Sequence, residues 1–174
     1  MKEARSALRK FLPLAAAIAF LGGCGYALVG KGSSLPPDIR TVSIPLFENR
    51  TGEPELDTVF TRVLRDEFIR DGRLKVVETA PDSTLRGAIV AYTLRPLAYD
   101  GDKKVIQYAV DLAVDVAHTS EPDGRKLTRQ RVQTTWQYDV DASVSESESQ
   151  RAAASVEASR KAAETILSLV IESF

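Results

Sequence analysis

Residues 105–118, VIQYAVDLAVDVAH, alternate apolar and polar side chains: Ile106, Tyr108, Val110, Leu112, Val114 and Val116 fall on one side, Gln107, Asp111 and Asp115 on the other. A period of two belongs to a β-strand with one buried face, so this stretch predicts an antiparallel strand whose second face meets water. The same period runs through LRGAIVAYTL before it and LTRQRVQTTWQYDV after it. The latter is reached through Pro122-Asp123-Gly124, where a preset φ, local side-chain hydrogen bonding and tolerance of positive φ favour a turn. Three strands in a meander are expected between Leu85 and Val140.

On either side of the meander the period lengthens to that of a helix. Leu56, Val59, Phe60, Val63, Leu64 and Phe68 form one stripe, closed by Asp71-Gly72, where glycine adopts a left-handed cap at little cost. Near the end of the chain, Ala152, Val156, Ser159, Ala163, Ile166, Leu167, Val170 and Phe174 share a stripe opposite Glu157, Lys161, Glu164, Ser168 and Glu172. Alanine content and the i,i+4 pair Glu157–Lys161 favour that helix. TVSIPLF, before the first helix, reads as a strand with Val42, Ile44 and Leu46 inward, Pro45 suiting an edge or a strand end; RLKVVET, after it, reads as a second strand, parallel to the first. The order β-α-β-β-β-β-α predicts an α/β (α+β) two-layer sandwich, with two amphipathic helices packed on one mixed sheet.

The first residues follow another pattern. Lys2, Arg5, Arg9 and Lys10 precede FLPLAAAIAFL, an apolar run of about eleven residues, long enough for a signal-peptide core and short of the ~20 a membrane-spanning helix needs. The run closes on Leu21-Gly22-Gly23-Cys24, which resembles the lipobox of bacterial lipoproteins. That resemblance implies cleavage before Cys24 and covalent lipid on its thiol and new amino group, two or more chains giving stable anchoring where one is marginal. Tyr26, in place of an aspartate after the lipidated cysteine, implies passage to the outer membrane. The expected organisation is a signal peptide at 1–23, a lipidated N-terminus and Gly/Ser/Pro-rich tether at 24–38, and a single domain at 39–174.

Composition narrows the function. Without residues 1–23, which hold four of the 23 Lys+Arg and one of the 24 Asp+Glu, the remainder carries 19 against 23, a net charge of −4, unlike a nucleic-acid binder. Cys24 is the only cysteine, which excludes an internal disulfide and zinc sites built on cysteine. His118, the only histidine, is in phase with Val114 and Val116 and reads as a hydrogen-bonded residue at a strand end. Asp111 and Asp115 lie roughly 13 Å apart along a strand at 3.3 Å per residue, too far for a glycosidase pair, and read as part of a solvated face. GKGSS lacks the spacing of a phosphate-binding loop. Catalysis is not expected, and neither is a metal or a cofactor beyond the covalent lipid. What remains are basic clusters: Arg95, Lys103 and Lys104 about one strand connection, Arg125 and Lys126 about the next, extended by Arg129 and Arg131 on the polar strand face. Guanidinium and ammonium groups suit phosphates, so these are candidate contacts for an anionic ligand.

CGYALVG, the unit LPPDIRTVSIPLFENRTGEPELDTVFTRVLRDEFIRDGRLKVVE, the strands around LAYDGDKKVIQYAVDLAVDV and the closing amphipathic helix together resemble the LptE family of lipopolysaccharide-assembly lipoproteins. The resemblance implies a lipoprotein on the periplasmic face of the outer membrane, partnering the LptD β-barrel as plug and assembly factor and binding lipopolysaccharide on its way to the cell surface. It also implies lipopolysaccharide contact through basic residues near a strand connection, here LAYDGDKK with Lys103 and Lys104. The βαβ unit with its Phe47-Glu48-Asn49-Arg50-Thr51-Gly52 turn is similar also to CsgG-like and TolB-amino-terminal-like periplasmic domains, which would imply a secretion or envelope complex.

Overall fold

A computed structural model describes residues 35–140 and 144–172; the expected signal peptide, Cys24 and Phe174 lie outside the described residues. Strand β1 spans Thr41–Ser43, β2 Glu48–Asn49, helix α1 Leu56–Asp71, β3 Lys75–Val76, β4 Ser83–Tyr99, β5 Val105–Ser120, β6 Lys126–Asp139 and helix α2 Val144–Glu172. One mixed sheet runs in the order β3-β1-β4-β5-β6, with β2 also beside β4. β1 is parallel to β3 and to β4, whereas β4, β5 and β6 are the expected antiparallel meander. Both helices cover one face, giving the two-layer α+β sandwich that the periodicities predict.

Of the first predicted strand, TVSIPLF, only β1 forms, and β2 begins just after its last residue. β1 and β2 lie in line along β4, at Val42↔Ser83 and Glu48↔Ala88, with Ile44–Phe47 between them. Pro45 has no N–H for a ladder, and the interruption shifts the inward phase by one residue: Leu46, expected inside, is 61% exposed, and Phe47 is buried in its place. Helix α1 supplies the missing partners, as Thr61 Oγ1 accepts the N–H of Phe47 at 3.0 Å and Arg65 Nε donates to the carbonyl of Ile44 at 2.8 Å. Phe47 then meets Phe60 with ring centroids 5.2 Å apart.

Helix α1 buries Leu56, Phe60, Val63, Leu64 and Phe68, and Gly72, at φ 74, closes it by donating to the carbonyl of Phe68. Helix α2 is rotated from expectation. Its buried stripe runs Ala154, Ala158, Ser159, Ala162, Ala163, Ile166, Val170 and Ile171, while Ala152 is exposed. Alanine at every fourth position lets the helix axis approach the sheet closely, and Thr134 Oγ1 of β6 reaches the carbonyl of Ala158. Between the layers Ile44, Leu85, Ile89, Val110, Leu112, Val114 and Ile166 complete one core, each fully buried aliphatic or aromatic side chain contributing roughly 1.5–3 kcal/mol. The core takes in Ile39, the first residue of the expected domain, and reaches into the expected tether, where Leu35 packs against it.

Candidate functional site: a basic trough on the helix-free face

Among the described residues no helix lies on the second face of the sheet, and residues of β4, β5 and β6 that alternate away from the core line it. In register, Arg86, Ala117 and Arg129 form one row across the three strands, and Ala88, Asp115 and Arg131 form the next. The rows place alanine between arginines in the first and alanine at one end of the second, so the floor is low and its flanks are long. The result is a cleft of about 570 Å³ floored by Gly87, Ala88, Val116 and Ala117 and walled by Arg50, Arg86, Lys126, Arg129 and Arg131, with Glu48 and Asp115 as its acids.

Not all of these charges are available. Arg131 holds Asp115 through Nε at 2.6 Å and a second nitrogen at 2.8 Å, and Arg50 holds Glu48 at 2.7 Å. The Arg131 hydrogen bonds keep the Asp115 carboxyl below its usual range, with the positive charges of Arg50 and Arg129 acting the same way. Both acids are thus firmly ionised and matched, which leaves Arg86, Lys126 and Arg129 without an ion-pair partner among the described residues. Three free cations over a floor of small side chains suit an anion with several oxygens, because forked guanidinium groups bind phosphate from more than one side.

The expected basic residues divide between opposite ends of β5. Lys126 lines the trough. Arg125, beside it, pairs with Asp123 at 3.6 Å, in a turn where Asp123 also accepts the Arg125 N–H. Arg95 lies on β4 and spends its Nε on Asp111 at 3.2 Å. Lys103 and Lys104 occupy the β4–β5 turn, where Asp100 accepts the N–H groups of Asp102 and Lys104 and Lys103 takes φ 62. Asp100 at the tip is therefore a turn-forming acid. Arg50 and Arg86 are trough residues that the sequence reading did not single out; the available signal was phase, since Arg86 alternates against Leu85 and Ile89.

Asp111 and Asp115 fall on the solvated face as expected. Thr135 Oγ1 and then Arg95 lower the Asp111 carboxyl. His118 differs from expectation: it is 1% exposed, and neither ring nitrogen has a hydrogen-bond partner among the described residues. Burial pushes its pKa down to about 4, so the ring is neutral near pH 7. Among the described residues no three His, Cys, Asp or Glu side chains are grouped as a metal ion would need, and no helix is long and apolar enough to cross a membrane.

The family model described as LptE, lipopolysaccharide-assembly, matches residues 39–170. The chain belongs to the LptE family. It is thereby a member of a lipoprotein family of lipopolysaccharide assembly, and the LptE match spans every strand and helix α1 described above and helix α2 as far as Val170. No curated protein matches the chain. Among solved structures, lipoprotein B from Nitrosomonas europaea is 18% identical, covers 84% of this chain and 90% of its own, and superposes with a TM-score of 0.53. A Xanthomonas campestris protein, XCC0632, is 10% identical over 78% of this chain and 88% of its own, with a TM-score of 0.55. A Chlamydia trachomatis protein, CT253, is 8% identical over 76% and 98%, with a TM-score of 0.52. At such identities the likeness is one of fold.

Proposed function

We propose that this LptE-family protein is held at the periplasmic face of the outer membrane by lipid on Cys24, partners the LptD β-barrel as plug and assembly factor, and binds lipopolysaccharide through the basic trough during insertion at the cell surface. The work is binding, with no chemical step. Family membership supports the reading as a whole. The observation that carries the site is the trough itself, where Arg86, Lys126 and Arg129 surround a small-residue floor and lack acid partners among the described residues. The phosphates of a lipopolysaccharide head group match that array in charge and in hydrogen-bond geometry. Lys103 and Lys104 remain candidates for a separate contact at the hairpin tip, whereas Arg95 and Arg125 are already engaged by Asp111 and Asp123.

Photo-crosslinking residues placed in cells at Arg86, Arg129, Lys103, Gln107 and Gln137 test this. Labelling of lipopolysaccharide is expected at Arg86 and Arg129 above the level at Gln107 and Gln137. Equal labelling everywhere, or labelling at Lys103 alone, removes the trough from the proposal.

A further inference from the structure

Among the described residues the sheet leaves three edges free, and they are not protected alike. β3 is two residues long. Along β4, neighbouring strands end where the N–H of Arg50 donates to the carbonyl of Ile89; beyond that point the described residues leave the edge open. There Pro96 falls in the outward phase, so the missing N–H blunts the edge. β6 is different: it runs 14 residues without proline, and its register shift with β5 lies at its first residues, between His118 and Thr119 of the partner strand. Long edges are normally shortened, bulged or interrupted, because unpaired backbone groups are a template for another chain.

The hydrogen-bond phase shows which groups this edge presents. The N–H of Val140 donates to the carbonyl of Ile106, and in an antiparallel ladder such pairs exchange bonds while the pairs between them exchange none. Following the register back, Tyr138, Trp136, Thr134, Val132 and Gln130 bond inward to β5. The backbone N–H and C=O groups of Gln137, Thr135, Gln133, Arg131 and Arg129 therefore point away from the sheet. Side chains of this outward set lie on the helix-free face, and on the other face Val132 is buried and Trp136 is 37% exposed.

We propose that the free edge of β6 accepts an extended peptide segment as an added strand, one that alternates acidic and apolar side chains. One of its acids would stand across from the unmatched Arg129 and the next across from the Arg131–Asp115 pair, with its apolar side chains on the face of Val132 and Trp136. Charge selects this occupant: facing side chains on adjacent strands attract when opposite and repel when alike, so the unmatched Arg129, with Lys126 near the same end of β6, favours a carboxylate across from it. Arg129 has no acid at ion-pair distance among the described residues, so an incoming carboxylate meets an unmatched cation. The affinity comes from main-chain bonds, as in other strand-addition complexes, and the register comes from the arginines. This inference requires the backbone edge and is independent of phosphate binding in the trough.

The test is residue-resolved amide hydrogen exchange on the full chain in detergent, with an acetylated octapeptide alternating glutamate and valine as probe. Strand addition slows exchange by roughly tenfold or more at Arg129, Arg131, Gln133, Thr135 and Gln137, with little change at the intervening residues already bonded to β5. The same peptide N-methylated at every residue, and a lysine–valine octapeptide, give no such protection. Gln133→Pro, which deletes one outward N–H and no ladder bond, lowers binding at least several-fold. Uniform slowing without alternation, undiminished binding of the N-methylated peptide, or alternating protection that appears with protein concentration alone would each overturn the proposal; the last would mean pairing between copies. Lipopolysaccharide labelling at Arg86 stands or falls separately.

Discussion

At Gly87 the lack of a methyl group decides whether Phe47 can enter the core. A Cβ built there would sit 2.2 Å from the carbonyl oxygen of Asp115 and 2.5 Å from the Phe47 ring. Gly87→Ala is expected to lower stability by about 1–3 kcal/mol in urea unfolding, the usual range for overpacking a core, whereas Gly101→Ala, with open space around it, changes it by less than about 0.5 kcal/mol. His118 makes a second residue-scale expectation. Its folded pKa lies near 4, below the unfolded value near 6.5, so the unfolded chain takes up a proton first as pH falls. The stability it permits is complete above about pH 6.5 and declines toward pH 4, by at most about 1.4 kcal/mol per unit. The lowered carboxyls of Asp82, Asp111, Asp115 and Asp123 act in the same direction but at lower pH, below their ordinary value of 3.8. Chemical denaturation between pH 7 and 4.5 should show the slope, and His118→Leu should flatten it.

Among the elements, helix α2 is set by how near it can come to the sheet. Ala154, Ala158 and Ala162 are the contact points, and the carbonyl of Ala158 also receives the Thr134 hydroxyl. Ala158→Leu is expected to cost about 1–3 kcal/mol, while Ala152→Leu, on the exposed side, costs almost nothing; paired urea midpoints measure the difference. The sequence showed that a helix exists here and roughly where, because its 3.6 period is strong. It did not show the rotation, since a run rich in alanine and serine gives two adjacent stripes nearly equal hydrophobicity. The β5 alternation was readable from Val110 to Val116, because Asp111 and Asp115 mark the wet face, but not at Ile106, expected inside and 42% exposed near the end of the strand. Strand one failed at Leu46, where Pro45 ends the pairing and the helix partners Thr61 and Arg65 that rescue the backbone are distant in sequence.

Over the whole molecule, the trough was the part least legible in the sequence. Lys126, Arg129 and Arg131 stand out as a basic cluster in the sequence, but Arg50 and Arg86 look like ordinary solvated residues; what groups them all is the register that sets Ala117 between Arg86 and Arg129. The expected lipid anchor acts at this scale as well: Cys24→Ala should leave urea stability of the domain unchanged and move the protein from the membrane to the soluble periplasmic fraction. Purification through the protein from solubilised envelopes should recover a heat-modifiable β-barrel near one to one, and a ring of this chain alone would argue against the LptD partnership. One long strand also sets how the charges can cooperate. From Lys104 to Asp115 β5 rises roughly 35 Å, so the hairpin tip and the trough are too far apart to share a phosphate. Their contributions to capturing an anionic lipid should then combine independently: in a thermodynamic cycle pairing Lys104→Glu with Arg129→Glu, the coupling energy should lie within about 0.5 kcal/mol of zero.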